Sequence, residues 1–125
     1  MAEFLPMTTP RIIVRALKAR ARLGCTAEER AYPQTVVIDL VLRLTPAATS
    51  STVSDELSDT VDYMAVAAAV EATCQSGEWR LLEKMCRDIG VAVREVSPCV
   101  RSVDIAVRKN ILPHADGVVC ELTVE

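Results

Sequence analysis

The stretch "VVIDLVLRL", residues 36–44, decides the fold because every second side chain along it is apolar. An alternation with a period of two predicts a β-strand whose two faces meet different surroundings. One face carries Val36, Ile38, Leu40, Leu42 and Leu44, and the other carries Val37, Asp39, Val41 and Arg43. The sequence therefore predicts a sheet with one face against an apolar core and one mixed face.

The chain before this strand predicts its antiparallel partner. Residues 11–23 are strand-like, and most of one face is formed by Ile13, Leu17, Ala19, Ala21 and Leu23. The two strands would form a long hairpin closed by the segment "GCTAEERAYPQ", residues 24–34. After the second strand, residues 45–59 have the Ser, Thr, Pro and Asp content of a loop.

Two helices are predicted next, separated by Gly77. Residues 60–75 place one apolar stripe on a helix, formed by Val61, Met64, Ala65, Ala68 and Ala72. Residues from about 80 to 96 form a second stripe with Leu82, Met85, Cys86, Ile89 and Val93. A stripe at helical spacing is typical of a helix that packs one face against a core.

Two further strands complete the pattern. Pro98 marks a break, and residues 103–108 and 118–124 then alternate as residues 36–44 do. The predicted order is ββααββ, an α+β fold in which two consecutive helices cover one face of a four-stranded antiparallel sheet. Residues 11–125 would form one domain behind a flexible tail, residues 1–10. Because both sheet edges are open, a ring of identical subunits would close the sheets into a barrel with a polar lumen.

Composition narrows the partners and the location. A net charge of −3 over 125 residues gives no broad basic field, which argues against nucleic acid or an acidic membrane as the main partner. The five cysteines form no C-x-x-C pair and are expected to be reduced thiols rather than a disulfide framework or a zinc site. No apolar run approaches about 20 residues, and the first ten residues lack the features of a signal peptide, so a cytoplasmic location is expected.

Few side chains indicate chemistry by pattern alone. His114 is the only histidine, which excludes a zinc site built from several imidazoles and gives no reason to expect a catalytic triad. Four positions become candidates only when they are taken together: Glu29, Tyr63, Glu83 and Lys109. Each of them alone is most often a solvated charge, a packing residue or a lysine guarding a strand end.

Four segments in order resemble the successive motifs of one family: "LGCTAEERAYPQTVVIDL", "DELSDTVDYMAV", "LLEKMCRDIGVAV" and "VRKNILPHADGV". From about Ile12 to Thr123 the chain resembles the dihydroneopterin aldolases, which share these motifs with the dihydroneopterin triphosphate epimerases. The resemblance implies a tunnelling fold, with subunits in tetrameric rings that stack in pairs as a homo-octamer. It also implies active sites between neighbouring subunits.

The resemblance implies a pterin-binding group of residues. Glu83 would accept hydrogen bonds from the 2-amino group and N3–H of the pterin, and the Leu82 backbone would contact the ring edge. The Val61 backbone would contact the ring from a neighbouring subunit. Cys25, next to the loop glutamates, would contact the substrate as well.

Three residues carry catalytic roles in the same comparison. Lys109 would stand near N5 of the pterin, Glu29 would orient the substrate side chain, and Tyr63 would help to deliver a proton; Glu28 is second to Glu29 for its role. The implied reaction is retro-aldol cleavage of 7,8-dihydroneopterin, without metal, Schiff base or other cofactor. Epimerisation at C2′ could share the site.

Two alternatives remain open at this point. The chain could be a triphosphate epimerase, for which Arg30 and Arg108 are the available basic residues. It could also be a catalytically silent oligomer that binds pterins. The segment after Lys109 departs from the family pattern, because Asn110 stands where proline is usual and the loop is one residue shorter.

Overall fold

The computed structural model describes residues 5–110 and 112–125, and it arranges them as one sheet with helices against one face. The strands are β1 (Arg11–Leu23), β2 (Gln34–Leu44), β3 (Glu78–Trp79), β4 (Val100–Lys109) and β5 (Val118–Val124). The helices are α1 (Ala27–Arg30), α2 (Ser51–Ser54), α3 (Tyr63–Ser76) and α4 (Leu82–Arg94). The predicted α+β class and the ββααββ order of the long elements are confirmed.

The sheet has five strands rather than the predicted four, in the order β3-β1-β2-β4-β5. The additional strand is two residues long and runs parallel to the end of β1, where Arg22 pairs with Glu78 and Leu23 with Trp79. A segment this short has no periodicity to detect, so only its position beside β1 makes it a strand. It leads directly into α4.

A β-bulge in β1 corrects the prediction for Ile13. Val14 pairs with Leu40 and Leu17 with Ile38, so two residues of β1 face one residue of β2. Ala16 has a φ of 56°, and its backbone N–H donates a 2.7 Å hydrogen bond to Oδ1 of Asp39. Because a bulge reverses the alternation, Ile13 is 41% exposed, whereas Ile12 and Val14 pack on the core.

The two long helices differ in how well their buried faces were predicted. In α4 the predicted stripe is confirmed, with Met85, Cys86, Ile89 and Val93 buried. In α3 the predicted stripe is wrong: of its members only Val61, just before the helix, is buried, and Met64 is 70% exposed. The buried face of the helix is formed by Val66, Val70 and Cys74. The alanines of α3 lie on several sides of the helix. Its sequence therefore has no single apolar stripe that fixes which face turns inward.

The ends of these helices follow from local residues. Asp62 is the N-cap of α3, with its side chain accepting a 2.9 Å hydrogen bond from the Met64 N–H. The helix ends before Gly77, as predicted. The predicted loop 45–59 contains only single turns, of which α2 is one. Of the predicted tail, residues 1–4 lie outside the described residues, and residues 5–10 have no helix or strand.

The second face of the sheet is mixed, as predicted. Asp104 bonds to Arg43 at 2.6 Å and to Thr123 at 2.7 Å, and the Arg43 hydrogen bond is the main reason why the pKa of Asp104 is lowered. Within residues 5–110 and 112–125, β5 pairs only with β4, and β1 meets β3 over two residues only. Both edges are therefore largely unpaired in one chain.

No helix in the described ranges is long and apolar enough to cross a membrane.

Candidate active site

A cavity of about 210 Å³ lies where the end of β1, the following loop, the start of α4 and the end of β4 meet. Its wall includes five side chains that can carry charge or react: Cys25, Glu29, Arg80, Glu83 and Lys109. Larger hollows lie between β1 and α3 and on the open sheet face. The smaller one is the candidate site because Lys109, the only buried charged side chain in the described part of the chain, stands in its wall.

Lys109 is the last residue of β4 and is 6% exposed. Its Nζ donates a 2.9 Å hydrogen bond to the Leu23 carbonyl oxygen and lies 3.4 Å from Oε2 of Glu29. A buried ammonium group requires such partners because desolvation of an unpaired charge is costly. The sheet thus holds a cation at a fixed point in the cavity wall.

Glu29 is held from two sides. It is the third residue of α1 and forms a capping box with Thr26: Thr26 Oγ1 accepts from the Glu29 N–H at 3.2 Å, and Glu29 Oε1 accepts from the Thr26 N–H at 3.3 Å. The backbone hydrogen bond from Thr26 is the largest cause that lowers the pKa of Glu29, and Lys109 contributes in the same direction against desolvation. The side chain is therefore an ionised carboxylate at neutral pH.

The loop brings Glu29, and not Glu28, to Lys109. Glu28 is exposed and does not line the cavity. The signal that could have separated the two glutamates from sequence is the T-x-x-E spacing from Thr26 to Glu29, which is typical of a capping box at a helix start. The expectation from sequence was a loop over residues 24–34, and the structure forms the short helix α1 within it.

Gly24 allows Glu29 to pack where it does. A Cβ at position 24 would lie 2.3 Å from Cβ and 2.8 Å from Oε2 of Glu29, which is too close for any side chain. The Gly24 N–H also donates a 3.0 Å hydrogen bond to the Trp79 carbonyl oxygen. Gln34, which sequence reasoning missed, donates from Nε2 to the carbonyl oxygens of Leu23 and Glu29. These contacts fix the loop on the end of β1.

The start of α4 forms the opposite wall. Leu82 and Glu83 are its first two residues, and no side chain caps the helix at Leu81. The first backbone N–H groups of a helix have no intrahelical acceptor, so they are available to a ligand. Among the described residues, the exposed Glu83 carboxylate has no hydrogen bond or ion pair. The cavity therefore has a paired carboxylate at one side and an uncommitted one at the other.

The remaining predicted site residues divide into two groups. Cys25 and Leu82 line the cavity with the charged residues. Tyr63 and Val61 do not line it within one chain: Tyr63 is the first residue of α3 and 62% exposed, and Val61 is 2% exposed. Among the described residues, no group of three or more His, Cys, Asp or Glu is arranged to hold a metal ion.

Comparison with known proteins gives the same family from sequence and from structure. The family model described as dihydroneopterin aldolase matches residues 12–123. A dihydroneopterin aldolase of Streptomyces coelicolor is 35% identical over 102 residues, which cover 75% of this chain and 82% of the relative. The chain is thus similar to a curated enzyme over most of both lengths.

Two solved structures share the fold. The Escherichia coli dihydroneopterin aldolase in complex with neopterin has a TM-score of 0.83 at 16% identity, covering 93% of this chain and 99% of that one. A Burkholderia thailandensis dihydroneopterin aldolase bound to guanine has a TM-score of 0.76 at 27% identity, covering 92% and 89%. The family match over residues 12–123 and the 35% identity to the Streptomyces coelicolor enzyme show that the chain belongs to the dihydroneopterin aldolase family.

Proposed function

We propose that this protein is a lyase that cleaves 7,8-dihydroneopterin into 6-hydroxymethyl-7,8-dihydropterin and glycolaldehyde. The observation that carries the proposal is that one cavity holds both the ion pair of the buried Lys109 with Glu29 and the carboxylate of Glu83, which is unpaired among the described residues. Family membership supports the reaction class. The reaction serves folate biosynthesis, because its pterin product carries the hydroxymethyl group of that route.

Glu83 is proposed to select the pterin. Its carboxylate would accept two hydrogen bonds, from the 2-amino group and from N3–H, while the free amides at the start of α4, Leu82 first, meet the ring carbonyl. The related Escherichia coli structure holds neopterin and the Burkholderia structure holds guanine. Guanine and pterins share the same 2-amino-pyrimidinone edge, which supports recognition of that edge.

The substrate provides its own electron sink. Removal of the 2′-hydroxyl proton allows the C1′–C2′ bond to break, and the bonding electrons pass into the conjugated C6=N5 imine as glycolaldehyde forms. Protonation at C1′ then completes the hydroxymethyl product. Because the imine already accepts the electrons, this route requires neither a lysine Schiff base nor a metal ion.

Lys109 and Glu29 are proposed to handle charge and protons in this sequence. Lys109 would stabilise the negative charge that develops toward N5, and its fixed position costs no reorganisation during the reaction. Glu29 would orient the trihydroxypropyl chain and an attendant water. The lowered pKa of Glu29 keeps its carboxylate ionised, so that the carboxylate can accept a proton. Tyr63 would help to deliver the proton to the enol-like intermediate, and Cys25 would contact the substrate from the loop.

Tyr63 and Val61 can reach the pterin only from another subunit in this proposal. Neither residue lines the cavity of one chain, and Tyr63 is exposed. Both sheet edges of the described chain are largely unpaired, which supports a ring of subunits joined edge to edge. We therefore propose an octamer of two stacked tetrameric rings, with each active site completed by a neighbour.

The thiols support a reducing compartment. All five cysteines are free. Burial raises the pKa of Cys74 to about 11 and is the main cause that raises the pKa of Cys86 to about 12, so both are poor nucleophiles. A cytoplasmic location is proposed on this basis.

The triphosphate epimerase is the second candidate, and the two arginines that the sequence offered for a triphosphate do not favour it. The Arg30 guanidinium is bonded to Glu78 and to the Gly24 carbonyl oxygen, and Arg108 is not part of the cavity wall.

Incubation with 7,8-dihydroneopterin tests the main proposal by release of glycolaldehyde. Epimer without cleavage, above all from the triphosphate, would favour the epimerase instead. Pterin binding without any turnover would indicate a silent oligomer.

A further inference from the structure

The cavity has two walls that come from separate parts of the chain. One wall is the loop after β1, which carries Cys25 and Glu29, and the other is the segment from β3 into α4, which carries Glu83. The distance between the two carboxylates determines whether the pterin ring and its side chain are held in register. Something must therefore fix one wall against the other.

Arg30, the residue after Glu29, connects these walls. Its Nε lies 2.9 Å from Oε1 of Glu78 in β3, and its Nη1 donates a 2.8 Å hydrogen bond to the carbonyl oxygen of Gly24. The guanidinium is well enclosed, with 13% of the side chain exposed, while 57% of Glu78 is exposed. The same Gly24 residue donates its N–H to the Trp79 carbonyl oxygen at 3.0 Å.

We infer that Arg30 is a positioning residue that holds Glu29 at a fixed distance from Glu83 by tying the loop to Gly24, whose N–H in turn bonds to Trp79 in β3. The inference rests on the proposed function for the roles of the two carboxylates. Arg30 does not line the cavity, so it acts through Glu29 and touches no substrate atom.

The two bonds of Arg30 contribute unequally. An ion pair to a half-exposed glutamate is screened by water and contributes little. The bond to the Gly24 carbonyl oxygen is charge-assisted and belongs to an enclosed guanidinium, so it is the stronger restraint. Loss of the arginine should therefore matter more than loss of the Glu78 charge.

A mutant series on the full-length chain tests this ranking. Arg30→Met should lower kcat by about 10- to 100-fold, because a misplacement of about 1 Å is enough for a loss of that size. Neopterin affinity should change by no more than about twofold, since a tenfold change would need about 1.4 kcal/mol and Glu83 remains in place on α4. Arg30→Lys should recover part of the rate through a single donor to Gly24.

Two controls separate positioning from general stability. Glu78→Gln keeps an acceptor for Arg30 and should retain most of the activity. Arg87→Met removes an exposed arginine whose bond among the described residues is to Asp88 on the same helix, and it should behave as the parent does. Hydrogen exchange at the Gly24 N–H should accelerate in Arg30→Met and stay slow in Arg87→Met.

Several outcomes would overturn the inference. Equal losses of kcat and neopterin affinity in Arg30→Met would indicate a collapsed site rather than a displaced loop. Unchanged kcat in that variant, or unchanged Gly24 exchange, would show that the clamp is not needed. If the parent enzyme fails to cleave dihydroneopterin, the proposed function fails, but the exchange experiment still decides whether Arg30 holds the loop. A variant that does not fold is replaced by Arg30→Lys in the same assays.

Discussion

Gly24→Ala is the sharpest test of how the loop positions Glu29. The new Cβ would lie 2.3 Å from Cβ of Glu29, whereas an ordinary contact begins at 3.4 Å, so the two must separate by about 1.1 Å. The Lys109 Nζ to Glu29 Oε2 distance is already 3.4 Å, and a shift of this size would break the bond. A misplacement of about 1 Å costs roughly 100-fold in rate, so kcat for dihydroneopterin cleavage should fall by about that factor.

The expected pattern distinguishes displacement from unfolding. Neopterin affinity, measured by titration calorimetry, should be nearly unchanged because Glu83 lies on the opposite wall. Overpacking should cost about 1–3 kcal/mol of stability, as in other tightly packed positions. Gly90→Ala is the matched control: its Cβ would lie 2.7 Å from Cγ2 of Val124, so it should lower the melting temperature without a comparable loss of kcat.

A double mutant completes the experiment. In a Glu29→Ala background the carboxylate is already absent, so Gly24→Ala should add little further loss of rate. Full additivity of the two losses, or parental kcat in Gly24→Ala itself, would refute the claim that Gly24 acts by making room for Glu29.

The other predictions concern the charged residues of the cavity. Glu83→Ala should weaken neopterin binding by roughly 2–4 kcal/mol through loss of a charge-assisted pair, and parental affinity would contradict the pterin placement. Lys109→Met should cut turnover far more than affinity. It should also move the acid limb of the pH–rate profile to higher pH, because one cause of the low pKa of Glu29 is gone. An acid limb at the parental pH would show that Lys109 does not influence the ionisation of Glu29 during turnover. The lowered pKa of Glu29 also predicts stability that is present above its ordinary value and lost as pH falls from about 4.5 through the lowered value. Chemical denaturation of the parent and Glu29→Gln should therefore converge in acid, and a constant difference would count against the ionised pair.

The sequence predicted most of the fold where periodicity was unambiguous. Every second residue from 36 to 44 is apolar, and α4 has one clear stripe, so both buried faces were predicted correctly. Ile13 and α3 were misplaced for opposite reasons. A bulge at Ala16 reversed the alternation of β1, and α3 carries apolar residues on too many sides to select one.

The candidate site was less accessible from sequence alone. The family resemblance pointed to Glu29, Glu83 and Lys109 as site residues. The pattern of the sequence alone could not distinguish these residues from solvated charges. The spacing of Thr26 and Glu29 was readable as a capping box, whereas Gln34 and Arg30 gave no local signal for their contacts with the loop.

The sequence by itself determined the order of the elements, the apolar face of β2 and α4, and the family, because these depend on residues close together in the chain. The tertiary structure decided that Lys109 meets Leu23, 86 residues away, and that Glu29 rather than Glu28 shares that cavity. Such contacts depend on strand register and on how a loop packs against a distant strand. The local periodicity of a sequence predicts neither of these.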